Sequence, residues 1–250
     1  MNKPRAIITG AASGIGRATA IRFAAEGYDL CINDIQTEKL ASLFRELPSG
    51  NHLMFPGNYA VKKDIDKGEK IIAENWNRLD VLVNCAGISE KSDPVNDSLE
   101  TWRKVFDIMT NGCILISALA LKFMQNNARI IHITSIHGGR AEKGASSYAM
   151  AKSSIDQFCR SMAVELADRN ILVNAIAPGF VDTAMSLVDG ISELESDWFR
   201  NNYIDSHHLP LRRAARASEI AGVALFLAGK DASYITGQVI VVDGGLTITF

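Results

Sequence analysis

Residues 9–16 read TGAASGIG and follow directly on the apolar run AII at 6–8. A strand-like segment therefore runs straight into glycines at 10, 14 and 16. Such a stretch is either a tight turn or a place where backbone must come close to a phosphate. The spacing G-x-x-x-G-x-G differs from the commoner dinucleotide spacing G-x-G-x-x-G. Its context favours the phosphate: the glycines end a first strand and open a first helix. There, bare N–H groups and the positive helix end can hold a pyrophosphate. Gly10, Ser13, Gly14, Ile15 and Gly16 are candidate cofactor contacts.

Outward from that stretch, strand and helix alternate along the whole chain. Apolar strand patterns occur at 5–9, 29–34 (DLCIND), 52–55, 80–84 (DVLVN), 129–134 (RIIHIT), 171–176 and 239–242. Helical spacing is read at 14–26, from 35 through about 46, and at 65–74, 99–124, 148–167 and 218–227. Strands this apolar suit a parallel sheet covered by helices on both faces. The expected fold is α/β, a doubly wound parallel sheet of Rossmann type, in one domain over 1–250. Residues 183–211 break the alternation, mixing Met185, Leu187, Trp198, Phe199 and Tyr203 with acidic and His residues. A long insertion in a compact domain is read as a substrate lid.

A net charge of −2 argues against nucleic acid or an anionic membrane as partner. The four cysteines, Cys31, Cys85, Cys113 and Cys159, sit apart in apolar segments. They read as free buried thiols, which fits a reducing, cytoplasmic setting. No signal peptide is visible, and no metal-ligand spacing is found. The apolar stretch 113–124 is too short to span a bilayer and reads as a buried helix. Asp34 ends the second strand, where an acidic side chain in a dinucleotide fold binds the ribose hydroxyls. A carboxylate there repels the extra phosphate of NADP, so NAD is favoured over NADP.

With YAMAK at 148–152 added, the chain resembles the short-chain dehydrogenase/reductase family over nearly its whole length. The resemblance rests on TGAASGIG, Asp34, NCAG (84–87), Ser135, Tyr148 with Lys152, PGFVDT (178–183) and GQVIVVDGG (237–245). It implies an NAD(P)-dependent oxidoreductase acting on an alcohol or carbonyl substrate, assembled as a homotetramer or homodimer. It also implies that the Tyr-bearing helix and the long helix before it form a subunit interface.

Tyr148 and Lys152 are four residues apart and share a helix face. A free Tyr ionises near pH ~10 and is a poor base. A neighbouring ammonium and an oxidised nicotinamide favour the phenolate, which can take a hydroxyl proton while hydride leaves the same carbon. Ser135 precedes Tyr148 by 13 positions, as the family's catalytic Ser does. It is read as a donor to the reacting oxygen. By resemblance, Lys152 also holds the nicotinamide ribose, and Tyr148 contacts the cofactor. Asn84, Ala86 and Gly87 lie on the adenosine side, and Pro178, Gly179, Val181 and Thr183 contact the carboxamide or pyrophosphate. His137, two residues past Ser135, is a candidate substrate contact. His207 and His208 are read as lid or solvent residues.

Three departures from the family pattern matter. Cys85 stands where a second Asn is usual, and is read as facing the core. Asn58 and Tyr59 stand where Asp and an aliphatic residue usually lie near the adenine. The family's fourth catalytic residue, an Asn, falls at Met109, with Asn111 two residues later. Two helical steps turn about 200°, so Asn111 points away unless the helix is bulged. The expectation is that the Met109 carbonyl takes over the Asn's role.

The leading reading is an NAD-dependent oxidoreductase on a secondary alcohol or its ketone. The alternatives are a carrier-linked 3-ketoacyl reductase using NADPH and a non-catalytic dinucleotide-binding protein. The substrate stays open between an apolar compound, suggested by the lid aromatics, and a polyol or sugar, suggested by His137, Glu142 and Asp189.

Overall fold

The computed structural model describes residues 3–188 and 190–249. Asp189, one of the polar candidates, lies outside them. Seven strands form one sheet: β1 (Arg5–Thr9), β2 (Asp29–Asn33), β3 (Leu53–Met54), β4 (Leu79–Asn84), β5 (Met124–Ile133), β6 (Leu172–Pro178) and β7 (Val239–Val242). Their order is β7-β6-β5-β4-β1-β2-β3. Every pairing in this sheet is parallel.

Six helices cover the two faces: α1 (Gly14–Ala25), α2 (Thr37–Glu46), α3 (Lys62–Asn75), a paired run α4 (Leu99–Phe106) and α5 (Gly112–Phe123), and α6 (Ser146–Glu165). A seventh, α7 (Ala217–Ala228), precedes the last strand. Alternation within each strand sorts the side chains. Ile7, Leu82, Ile130 and Val173 meet α3, α5 and α6 through Ile65, Ile72, Ile116 and Cys159. Ala6, Ile8, Val83 and Ile131 meet α1, α2 and α7 through Phe23, Leu40, Leu43 and Ile220. Both faces of the sheet are thus buried at its centre, which is why the strand segments there are almost wholly apolar. Each fully buried Ile or Leu contributes roughly 1.5–3 kcal/mol, so these runs outweigh local propensity.

Two boundaries differ from the sequence reading. β3 is only two residues long, because it pairs with β2 alone and only at Cys31 and Ile32. β5 starts at Met124 rather than 129: Met124 pairs with Leu79, and the register shifts before Arg129 meets Val81. The run Leu99–Phe123 is long and apolar enough to pass for a membrane span. Its Val105, Met109, Ile116, Leu119 and Ala120 are buried in the fold, so its apolarity is that of a core helix.

The 183–211 segment is less open than the term lid suggests. It holds a short antiparallel pair, Leu187–Val188 with Ile191–Ser192, and helical turns over Asp197–Phe199 and Arg200–Asp205. Phe199 and Leu209 are buried with Leu246. The ring of Phe180 meets those of Phe199 and Tyr203 at 4.9 and 4.7 Å. Its second half is therefore packed down on the body of the protein. Of the five apolar residues read as pocket-forming, Leu187 and Phe199 line none of the cavities among the described residues.

The glycine stretch takes its shape from crowding. Gly10 has φ +64°, and a Cβ on it would lie 2.9 Å from the Ala86 nitrogen. A Cβ on Gly16 would lie 2.1 Å from the Gly10 carbonyl oxygen, so only glycine lets α1 start this close to β1. Gly16→Ala is expected to destabilise the protein by about 1–3 kcal/mol, the usual cost of overpacking a rigid contact. Denaturant unfolding followed by circular dichroism measures this. An unchanged midpoint would mean the backbone can yield there.

Candidate active site

Strand order reverses between β1 and β4, and a crevice opens at their carboxyl ends. The Thr9 hydroxyl ties the two strand ends together. It donates to Asn84 Oδ1 (2.6 Å) and accepts from the Cys85 and Ala86 N–H groups (3.1 Å each). Ser13 precedes α1 in extended conformation, its side chain makes no capping bond, and the first turn carries no acidic residue. The helix end is thus left for an anion. Gly14 faces Thr183 across the crevice: a Cβ on it would stand 3.2 Å from the Thr183 methyl.

A cavity of ≈ 340 Å³ runs along this edge. It is lined by Gly10, Ser13, Gly14, Ile15, Gly16, Asp34, Asn58, Tyr59, Ala86, Gly87 and Thr183. A glycine-walled cradle at an uncapped helix end, with a carboxylate at the end of the second strand, fits a dinucleotide. Asp34 is nearly buried. Its Oδ2 accepts from the Ala12 N–H (3.0 Å) and its Oδ1 from the Gln36 N–H (2.9 Å). The carboxylate therefore braces the glycine loop as well as lining the cavity. No Lys or Arg lines this cavity among the described residues.

Some candidates are used differently from expectation. Asn84 is buried behind the crevice wall and lines neither cavity, because its side chain faces Thr9. Cys85 lines the crevice while packing against the apolar core on the α1 side, where burial raises its thiol to about 12. Tyr59 is buried, with its hydroxyl on the Ala86 carbonyl (3.2 Å), so it shapes the crevice floor. Asn58 turns its Oδ1 to the Ala60 N–H (2.9 Å).

The reaction side is built by β5 and α6. Tyr148 stands in the first turn of α6 and Lys152 one turn on. Lys152 is buried, and its Nζ donates to the Ile133 carbonyl (2.9 Å) while lying 5.5 Å from the centroid of the Tyr148 ring. Ser135 follows β5, and its Oγ accepts from the His137 N–H (3.2 Å). Ser135, His137, Tyr148, Lys152, Pro178, Gly179, Val181 and Thr183 line one cavity of ≈ 290 Å³. Ile15, Cys85, Gly87, Thr183 and Met185 line both cavities, so the two adjoin. Sequence reasoning missed Ile108 on the crevice side and Phe180 and Leu194 on the reaction side. Phe180 was within reach, since it lies inside the PGFVDT motif. His207 and His208 separate: His207 pairs with Arg212, and His208 packs on Tyr203.

The helix at 107–111 settles where Asn111 points. Residues Asp107–Asn111 form a π-turn, and the Gly112 N–H reaches back to the Asp107 carbonyl. The bulge is present, yet Asn111 stays exposed, donating to Asp107 Oδ1 (2.8 Å). Met109 is buried against Val105, Cys113, Ala151 and Ile155, behind Tyr148.

This fold and this pairing of a dinucleotide crevice with a Ser–Tyr–Lys cavity agree with the sequence comparisons. The chain belongs to the short-chain dehydrogenase/reductase family and is an oxidoreductase of that class, acting on CH–OH groups. Residues 10–247 match the family model described as enoyl-(acyl carrier protein) reductase. The chain is 37% identical over 247 residues to the 3-oxoacyl-[acyl-carrier-protein] reductase of Thermotoga maritima, covering 97% of each. It is 32% identical to the glucose 1-dehydrogenase of Gluconobacter oxydans, covering 98% of this chain and 92% of the relative. The crystal structure of levodione reductase superposes with a TM-score of 0.89 at 31% identity, covering 99% and 98% of the two chains. As an enzyme of this family, the chain does not fit the non-catalytic reading.

Beneath Lys152 lies a buried pair that the motif does not include. Cys113 Sγ is 3.4 Å from His132 Nδ1. Burial raises the thiol to about 12, so it stays protonated beside the ring. Burial, helped by the Lys152 charge, pushes His132 down to about 4. An unfolded His titrates near ~6.5. Between those pH values the unfolded chain holds the extra proton, so stability rises with pH across the window and is lost as pH falls through it. The difference amounts to about 3 kcal/mol. His132→Gln is expected to flatten the pH dependence of the unfolding free energy between pH ~4 and ~6.5. Equal slopes in the two proteins would show that His132 is not held neutral.

Proposed function

We propose that this chain is an NAD-dependent oxidoreductase that interconverts a secondary alcohol and its ketone. One observation carries the reading: Ser135, Tyr148 and Lys152 line a single cavity that shares a wall with the dinucleotide crevice. A bound nicotinamide dinucleotide supplies the acceptor or donor of hydride at the carbon that bears the oxygen.

The residues of the chain supply the proton and the positioning. Tyr148 takes the hydroxyl proton when the alcohol is oxidised and returns it when the ketone is reduced. The Lys152 ammonium, held by the Ile133 carbonyl, faces the charge that forms on the phenolate. The Ser135 oxygen already accepts the His137 N–H, which leaves its own proton for the reacting oxygen. Phe180, Leu194 and Trp198 wall the reaction cavity and limit water. To the Met109 carbonyl, inside the π-turn and reached by the Gly112 N–H, we assign the role of the family's Asn in linking Lys152 to solvent.

Preference for NAD rests on Asp34 together with a crevice wall that carries no basic side chain among the described residues. Reduction of carrier-bound 3-oxoacyl groups with NADPH is the second reading, favoured by the likeness to the Thermotoga maritima enzyme. The cavity mouth carries Lys91 and Lys143 but also Glu90, Glu142 and Glu193, a poor match for an acidic carrier. Exposed Ile114 on α5 and Met150 and Val164 on α6 support assembly into a homodimer or homotetramer through these helices.

Tyr148→Phe is expected to lower kcat by about 10²–10⁴-fold while NAD binding, followed by fluorescence titration, persists. Full turnover in that variant would remove Tyr148 from proton transfer. Asp34→Ala is expected to narrow the NAD over NADP preference in kcat/KM by about tenfold or more, the worth of one charge contact. An unchanged ratio would mean that the carboxylate serves only the loop.

A further inference from the structure

His137 occupies the short turn Ile136–Gly138 that follows Ser135. Its backbone N–H is spent on the Ser135 oxygen. Its ring stands edge-on to that of Tyr148, centroids 5.8 Å apart and planes at 83°. It therefore touches both groups that face the reacting oxygen. Its Nε2 lies 3.1 Å from Glu142 Oε2. Hydrogen bonding to His137 holds the Glu142 carboxyl below the usual range, so this oxygen is an acceptor and Nε2 carries the proton. The other ring nitrogen, Nδ1, is buried and has no hydrogen-bond partner among the described residues. Buried nitrogens are paired in nearly all folded proteins, and leaving one unpaired costs about 1–3 kcal/mol. A ligand oxygen beside the reacting one would complete it.

The pair also marks a boundary. His137 and Glu142 line the reaction cavity and a second cavity of ≈ 220 Å³ beyond it, whose wall includes Arg140, Tyr203, His208 and Thr247. The path outward from Tyr148 is thus polar on this side. Leu194 and Trp198 also line the reaction cavity and are absent from the second one. An alkyl chain drawn along the His137 side would strip water from this polar pair and offer it no hydrogen bond.

We propose that the His137–Glu142 pair is a specificity subsite that binds a second oxygen on the carbon next to the reacting one. The substrates are accordingly vicinal diols, α-hydroxyketones and longer polyols, and not simple alkyl carbinols. This rests on the reading of Tyr148 as the proton-transfer group and goes beyond it by naming the substrate class.

The test is a matched pair of probes, butane-2,3-diol and butan-2-ol, which share a skeleton and differ by one hydroxyl. Initial rates with NAD are measured for the wild type, His137→Leu and Glu142→Gln, with folding checked by circular dichroism and NAD titration. The wild type is expected to favour the diol in kcat/KM by about tenfold or more, as one satisfied hydrogen bond to a polar site allows. His137→Leu is expected to cut that ratio by about 10–100-fold, chiefly through a higher KM for the diol. Glu142→Gln, which keeps an acceptor but loses the charge, is expected to fall between the two. A wild-type ratio near or below one, or a ratio unmoved in folded His137→Leu, overturns the subsite. If the wild type leaves the diol untouched but turns over other alcohols in a Tyr148-dependent way, the substrate class is wrong while proton transfer by Tyr148 stands. If Tyr148→Phe matches the wild type on the diol, that earlier reading falls and the subsite with it.

Discussion

The reversal of strand order between β1 and β4 is the constraint on which the rest depends. The chain leaves these neighbouring strands toward opposite flanks, so no connection covers the gap between their carboxyl ends. What fills the gap must be backbone. Thr9 holds the two strand ends at hydrogen-bond distance, and Gly10 turns at once because Ala86 stands where a side chain would go. The helix that follows begins so close to β1 that its first turn presents bare N–H groups to the same gap. The crevice is a product of topology, and the glycines are its steric price.

A buried ammonium is the second constraint. Lys152 sits within the fold, where an unpaired charge would cost several kcal/mol. The Ile133 carbonyl meets it from β5, and the cavity it shares with Tyr148 gives it a polar side. Its field extends inward as well. It adds to the burial that keeps His132 neutral, and it opposes the burial that raises Cys85 and Cys113. Asp156 on the same helix is raised by burial, against the pull of Thr134, Arg160 and Lys152. Burial sets the direction of each of these shifts, and the one charge modulates all four.

Much of this was legible in the sequence for physical reasons. Strands buried on both faces must be apolar throughout, so all seven could be read from their runs. Tyr148 and Lys152 are neighbours by helical spacing alone, and Ser135 is placed by the end of an apolar strand. What could not be read depends on partners remote in sequence. Asn84 looks like a crevice residue, but Thr9, 75 positions away, claims its side chain. The extension of β5 back to Met124 depends on pairing with Leu79 across a register shift. The 183–211 segment reads as an open lid because the residues that pin it, Phe180 and Leu246, lie outside it. Glu142 gains its place only because a turn brings His137 back to it.

The surplus residue at 107–111 has a structural consequence of its own. A π-turn holds one more residue than the α-turn it replaces, so the helical phase jumps by about 100° as it is crossed. Val105 before the turn and Cys113 after it both face the same small cluster: eight residues apart, they would stand about 80° apart on an unbroken α-helix, and absorbing one residue in the turn brings them to about 20°. Gly112, at the jump, lies under the Tyr59 ring, where any Cβ would collide at 2.7 Å. The irregularity is held at that end by the glycine. Excising one residue there would straighten the run into a plain α-helix with α4 and α5 in nearly their present relative phase, so the turn is an insertion that the packing on either side absorbs.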